Sequence, residues 1–436
     1  MEISTNSQPQ DDFVFGEAFE TLYGGKAGGG KSVAIVMAAL LGAVEGDYSA
    51  VLFRKNYPQL TGKGGLIEVS REFYHELGGE YRETDHVWNF TSGAQIRFSH
   101  LATKNSHYDH MGKEYHFVGF DEVAHFDEDQ YRYLFSRIRR KASSKVTTRM
   151  ACTSNPGAKW VYQRWAPWLD TNHPNPAKAN ELRWFKLDGD NEIECKQGDK
   201  NAWSRTFIPS SYVDNPALDT VEYERTLDML PYIERQRLKY GDWKIEPGRG
   251  LVLNREWFNI VDTIPKYHQA FRFWDFAATA KKAASDDPDY TATCYLGVID
   301  GQFYIHCTRK RVTWDTVKKW VGATLQAEDW AIHGGEEEGG ASGKVLASEL
   351  SKVAIQHGRG WHSIRPSGDK VARAMHWSTH AENGIVNIVR GGEDVDSVLS
   401  ELHAFPESSH DDMVDAISGA FNLWENSQVG QAVGSY

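Results

Sequence analysis

The chain has 436 residues, 40% of them hydrophobic and 25% charged, with 48 Lys and Arg against 60 Asp and Glu for a formal net charge of −12. That length predicts two domains, each able to bury its own core. The composition excludes a membrane-spanning protein, no apolar run being long enough to cross a bilayer, and the polar, acidic start MEISTNSQPQDD is unlike a secretory signal. Four cysteines, Cys152, Cys195, Cys294 and Cys307, lack CxxC spacing and predict free thiols in a reducing cytoplasm. Acidity does not exclude a nucleic-acid partner, because net charge does not say where charges sit. Basic runs stand at Arg137-Arg139-Arg140-Lys141, Arg309-Lys310-Arg311 and Lys318-Lys319, although each taken alone reads as a solvated face.

In chain order, residues 1–12 read as a disordered tail. Residues 13–245 alternate short apolar strands with helical stretches, which predicts an α/β layered domain. Its strands are expected at Phe19–Tyr23, Ala50–Phe53, Ala94–Phe98, Tyr115–Phe120 and Thr148–Thr153, with an alanine-rich helix from Lys31 to Val44. Residues 246–267, with Pro247-Gly248 and Ile264-Pro265, read as a linker. A second α/β unit over 268–436 opens with three strands, Phe271–Phe276, Tyr290–Val298 and Gln302–His306, the last two joined by a tight turn at Ile299-Asp300-Gly301. Cys294 and Cys307 would face each other across that hairpin, with packing as their expected role. A helix near Thr313–Gln326, the segment Trp330–Glu336, a helix near Lys344–Gln356 and a last helix through Asp411–Trp424 follow.

Gly25-Lys26-Ala27-Gly28-Gly29-Gly30-Lys31-Ser32 is a complete G-x-x-x-x-G-K-[ST] sequence between an apolar strand and a helix. Glycines let the backbone wrap so that its N–H groups meet phosphates, and the helix N-terminus adds its dipole. Lys31 would reach the β- and γ-phosphates of ATP and Ser32 would ligate Mg²⁺. The strand Tyr115–Phe120 ends in Asp121-Glu122, two carboxylates at the carboxyl edge of a sheet. Asp121 would hold Mg²⁺ through water and Glu122 would polarise the attacking water; the bland alternative is a helix cap. Thr153-Ser154-Asn155-Pro156-Gly157 follows a strand and could sense a γ-phosphate, but taken alone it is turn chemistry.

The second unit carries separated acids. Asp275 lies in the apolar run Phe271–Phe276, where a carboxylate is costly unless paired or metal-bound. Glu336-Glu337-Glu338 closes another short strand, and Asp411, Asp412 and Asp415 stand at helical spacing. Acids on two strands and a late helix suit a two-metal site for phosphodiester hydrolysis, and oxygen-only ligands favour Mg²⁺ or Mn²⁺. A solvated acidic surface is the alternative for any one cluster.

With GGKAGGGKS at 24–32, Asp121-Glu122, TSNPG at 153–157, FWDFA at 273–277, EEEGGASGK at 336–344, GDKVARA at 368–374 and HDDMVDA at 410–416, the chain resembles the large terminase subunit of tailed double-stranded DNA bacteriophages over roughly residues 15–425. The resemblance implies an α/β protein: an N-terminal P-loop ATPase of the additional-strand (ASCE) type followed by a C-terminal RNase H-like nuclease. It implies a ring on the portal of the procapsid that pumps double-stranded DNA, a small terminase subunit as partner, and cuts that start and end packaging. It places the protein in the host cell cytoplasm and transiently on the procapsid, not in the mature virion. By the same resemblance Asn155 belongs to the element coupling hydrolysis to movement. Asp275, Glu336, Asp411 and Asp412 become metal ligands, with Asp415 a further candidate, and Lys370 approaches the scissile phosphate. Some relatives carry an arginine shortly before the Asp-Glu strand, but here no Arg occurs between Arg97 and Arg132. Arg137, Arg139 and Arg140 are then candidates for a trans-acting finger, and Lys26 for part of that charge. A repair helicase-nuclease and an ATP-gated scaffold with a dead nuclease fold are the competing readings.

Overall fold

A computed structural model describes residues 4–189, 191–266, 268–276, 290–337, 339–408 and 410–433. The chain divides into two compact units, one of Met1–Met229 and Glu234–Ile245, the other of Leu230–Ile233 and Glu246–Tyr436.

The first unit is built on a ten-stranded sheet. Its centre is a run of parallel strands in the order Gln95–His100, Ser49–Arg54, Phe117–Phe120, Arg149–Ser154, Glu20–Gly25 and Trp203–Ser210. Parallel strands are covered on both faces, which is why these sequences read as continuous apolar runs; every residue of Glu20–Gly25 and of Arg149–Ser154 is buried. Strand Arg149–Ser154 lies between the strand feeding the glycine loop and the strand ending at Asp121, which is the additional-strand order. Antiparallel pairs, Gly79–Arg82 with Val87–Phe90 and Arg183–Asp188 with Asn191–Cys195, extend the two edges. Sequence reading missed them: both are local hairpins, but three of the four strands are only partly buried and so lack a clean apolar alternation.

The helix after the glycine loop is Lys31–Leu40, and Ala34 to Leu40 are all buried; the expected continuation to Val44 is a 3₁₀ turn. The disordered tail expected over residues 1–12 is corrected in its second half. Gln8–Val14 is a helix, with Pro9 in its first turn where a missing N–H costs nothing. Phe13 is fully buried, with its ring stacked on Tyr23 at 5.3 Å between centroids, and Arg149 donates to the Val14 carbonyl at 3.0 Å. Burial of Phe13 and Val14 against the sheet outweighs the polar composition before them.

The second unit carries a seven-stranded sheet in the order Asn259–Val261, Val386–Val389, Gln302–Lys310, Thr291–Ile299, Gln269–Asp275, Ile332–Glu336, His362–Ile364. Three antiparallel strands followed by parallel Ile332–Glu336 and His362–Ile364 form the RNase H-like core. The hairpin between Ile299 and Gln302 turns through Asp300 (φ 50°) and Gly301 (φ 72°), the left-handed pair a two-residue turn requires. Cys294 and Cys307 are cross-strand partners and are free, buried thiols. The long helix Asp412–Val433 packs across Gln269–Asp275 and Thr291–Ile299. Gly419 makes this approach possible, since a Cβ there would meet the Phe273 ring at 2.0 Å.

The linker expected over 246–267 is also corrected. Asn259–Val261 adds an edge strand parallel to Val386–Val389, and Val252, Leu253 and Phe258 are buried. Helices Lys370–Glu382 and Val395–Ala404 complete the unit and were not read from sequence. No helix among the described residues is long and apolar enough to cross a membrane.

Candidate functional site

The glycine loop leaves strand Glu20–Gly25 at the carboxyl edge of the first sheet. Gly28 (φ 75°) and Gly30 (φ 71°) take left-handed conformations that a side chain would strain. Three consecutive carbonyls of the loop are tied back into the protein. Asn215 donates its amide to Gly28 O (2.8 Å), Tyr23 its hydroxyl to Gly29 O (2.7 Å) and Gln10 its amide to Gly30 O (3.2 Å). With these carbonyls turned inward, the loop can present its peptide N–H groups outward, as an anion cradle requires. The N–H groups of Lys26 and Ala27 are spent inside the protein, on Ser210 O and Leu238 O at 2.8 Å each.

Lys31 is buried, and its ammonium donates to Lys26 O at 2.7 Å. Burial pulls its pKa below the ordinary lysine value, against the opposing pull of Glu122 and Asp121. Asp121 is fully buried one residue past its strand. It accepts from Ser32 Oγ at 2.9 Å and from Thr153 Oγ1, and it pairs with Arg54 at 2.5 Å. Glu122 holds a left-handed backbone (φ 57°), uncommon for a residue with a side chain, which aims its carboxylate at Asn155. Asn155 donates its N–H to Glu122 Oε2 (3.1 Å) and its side-chain amide to Oε1 (3.3 Å). TSNPG is thus more than a turn: Thr153 contacts Asp121 and Asn155 contacts Glu122.

Sequence reading missed Arg54, Gln10, Tyr23 and Asn215. Arg54 had one available signal, an arginine closing an apolar strand. The expected finger residues are engaged locally: Arg139 pairs with Glu114 (3.0 Å), Arg140 donates to Val146 O (3.2 Å) and Arg137 lies over the Tyr133 ring.

In the second unit Asp275 ends its strand, and the parallel register Trp274↔Gly335 brings Glu336 alongside it. Burial raises the Asp275 pKa well above the carboxylate range, and Asp415, Glu336 and Asp412 raise it further, with Lys370 opposing. Four of the expected acids therefore converge from two strands and the start of helix Asp412–Val433. Asp411 stands just outside the helix and pairs with Lys370 at 2.7 Å. Lys370 also reaches Asp415 (2.9 Å), which Arg373 bonds at 2.7 Å. Burial pulls the Lys370 pKa down, but its bonds to the two aspartates outweigh this and hold it above the ordinary value.

Within the glutamate run the structure separates two roles. Glu337 accepts from Arg365 at 2.8 and 2.5 Å, whereas Glu336 acts on Asp275. Glu338 and Ala277 lie outside the described residues. The donors are all oxygen, which suits a hard divalent cation. Among the described residues no three His, Cys, Asp or Glu side chains are already set around one point as metal ligands; Asp411 and Asp415 face the cations of helix Lys370–Glu382. A cavity of about 260 Å³ adjoins these acids, lined by Glu336, Asp415, Arg365, Arg373, Trp377 and Phe421 among others.

A parallel sheet with an additional strand, a phosphate loop and a buried Asp-Glu edge define a P-loop ATPase unit, here joined to an RNase H-like unit whose acids converge on one sheet edge. The chain belongs to the large terminase subunit family: residues 22–260 match "Terminase large subunit, T4likevirus-type, N-terminal" and residues 272–423 match "Terminase RNaseH-like domain". It is an enzyme with an ATPase and a nuclease domain. Among solved structures it resembles the large terminase of a thermophilic bacteriophage, at 13% identity over 91% of each chain with a TM-score of 0.60. Structures of that same phage terminase with ADP and with ATP-gamma-S align over 90% of each chain at 14% identity, with TM-scores of 0.58 and 0.57. No curated protein sequence matches the chain.

Proposed function

We propose that this chain is the motor and the cutting enzyme of bacteriophage DNA packaging. ATP hydrolysis in the first unit drives viral double-stranded DNA through the portal into the procapsid, and the second unit cuts concatemeric DNA to start and end each round. The observation that carries the reading is the convergence of Ser32, Asp121, Glu122 and Asn155 beside a loop whose carbonyls are tied away from the phosphate side. The thermophilic phage terminase solved with ADP and with ATP-gamma-S supports nucleotide binding by a chain of this fold.

In this reading Lys31 leaves Lys26 O for the β- and γ-phosphates. Ser32, and Asp121 through water, would hold Mg²⁺, which when bound would neutralise phosphate charge. Glu122, oriented by Asn155, takes a proton from the attacking water. In the second unit Asp275, Glu336 and Asp412 would hold Mg²⁺ or Mn²⁺, with Asp411 and Asp415 as further ligands, and the metal would supply charge to activate water and stabilise the leaving oxygen. Lys370 would turn toward the scissile phosphate. The chain assembles as a ring on the portal, receives DNA with the small terminase subunit, and works in the host cytoplasm.

Lys31→Ala is expected to abolish ATP hydrolysis and packaging while leaving plasmid cutting in Mn²⁺ intact. Asp275→Asn is expected to do the reverse. Loss of ATPase activity in Asp275→Asn with cutting preserved would overturn the assignment of the two sites.

A further inference from the structure

Strand Ser49–Arg54 lies beside Phe117–Phe120 in parallel register, Phe53 opposite Phe120, so Arg54 and Asp121 leave the same sheet edge side by side. One guanidinium nitrogen of Arg54 stands 2.5 Å from Asp121 Oδ2 and 3.2 Å from Ser32 Oγ. These are the two groups that the proposed function assigns to the phosphate-bound Mg²⁺. A cation therefore already stands between them, and Arg54 and the metal cannot both hold that position.

The strongest arginine–carboxylate pairs have a different geometry. Arginine reaches its best pairing with a carboxylate through two parallel N–H bonds, fork to fork. Here a single nitrogen makes both contacts, Asp121 Oδ1 is taken by Thr153, and the buried Nε of Arg54 has no hydrogen-bond partner among the described residues. The pairing still matters electrostatically, because Asp121 is fully buried and an uncompensated carboxylate there would be costly. The guanidinium thus supplies charge at this point while much of its donor fork stays unused, and phosphate oxygens are acceptors that such a fork matches.

Resting on the nucleotide-site reading, we propose that Arg54 is a place-holder for Mg²⁺: it neutralises Asp121 until ATP and the metal arrive, then yields the Ser32–Asp121 position and turns its fork onto the γ-phosphate of the same subunit's ATP. It would supply in cis a positive charge that the sequence lacks just before the Asp-Glu strand. Nothing covalent changes in this step; two cations exchange partners.

The test is nucleotide binding by the full-length protein, followed with fluorescent mant-ADP and by competition with ATP-gamma-S, across a Mg²⁺ titration. In Arg54→Gln the Mg²⁺ concentration giving half-maximal mant-ADP binding should fall several-fold, because the metal no longer competes with a guanidinium. The preference for ATP-gamma-S over ADP should shrink by roughly tenfold with the lost charge-assisted contact. Arg54→Lys keeps the charge and guards against a folding defect; with it the Mg²⁺ requirement should return toward wild type while the ATP-gamma-S preference stays reduced. An unchanged or raised Mg²⁺ requirement together with an unchanged preference in Arg54→Gln would overturn the proposal and leave Arg54 a structural partner of Asp121. Failure of the wild-type protein to bind mant-ADP, or binding unaffected by Lys31→Ala, would instead remove the nucleotide site itself and the proposal with it.

Discussion

Asn155 grips both carboxylate oxygens of Glu122, one through its peptide N–H and one through its side-chain amide. The residue that would activate water is thereby held by the loop at the end of the neighbouring strand, Arg149–Ser154. Any shift of that strand end moves the carboxylate. Asn155→Ala keeps the backbone bond and loses the side-chain one. Steady-state phosphate release should show kcat lower by ~10- to 100-fold with KM for ATP changed little, as expected when the orientation of a general base is loosened. A kcat equal to wild type would remove Asn155 from the mechanism.

Thr153 has two tasks, donating to Asp121 and accepting the Glu122 N–H at 3.4 Å. Thr153→Val preserves shape and deletes both. Because Asp121 is fully buried, the loss should cost ~1–3 kcal/mol of stability, measurable by urea unfolding of the full chain.

Glu20 is fully buried in the strand before the phosphate loop and is bonded by Arg164, Arg205, Tyr131 and Trp203. Burial opposes its ionisation, but the two arginines and the hydrogen bonds outweigh it and lower its pKa from 4.5 to about 2. A depressed carboxyl pKa adds stability that is fully present above the unfolded value and is lost as pH falls. Wild type should therefore lose more stability between pH 4.5 and about 2 than Glu20→Gln does. At neutral pH that variant should be ~3–5 kcal/mol less stable, since it leaves buried arginines short of a counter-charge. Equal acid sensitivity of the two proteins would contradict this assignment.

The acids around Asp275 repel one another, and Lys370 and Arg373 offset only part of that charge. Mn²⁺ at millimolar concentration should raise the unfolding temperature of the second unit, EDTA should reverse the rise, and Asp412→Asn should weaken it. Calorimetry of the full chain reads all three. A thermal shift that Asp412→Asn leaves untouched would place the metal elsewhere.

The parts of the site readable from sequence were those carried by neighbouring residues. Lys31 and Ser32 follow their glycines directly, Asp121-Glu122 closes its own strand, and Asp275 stands out as a charge in an apolar run. Arg54 closes an apolar strand, but that local signal does not name its partner, which comes from strand Ser49–Arg54 lying beside a strand that is distant in the chain, Phe117–Phe120. Gln10 was hidden by a polar tail whose helix is anchored by tertiary contacts, Phe13 stacking on Tyr23 and Val14 buried beside it. The edge strand Asn259–Val261 has three residues and pairs with Asn387 and its neighbours, so no local pattern marks it. Within EEE the register with Trp274 and the approach of Arg365 separate Glu336 from Glu337, and both belong to tertiary structure.

Gln10, Tyr23 and Asn215 each brace one carbonyl of the phosphate loop, and they come from widely separated places in the chain. The N-terminal dozen residues, which a protein engineer would shorten first to improve crystals or yield, therefore include one strut of the catalytic loop. A version beginning at Phe13 would keep every residue of the P-loop motif and lack that support, so weak activity in it would measure the truncation, not the enzyme.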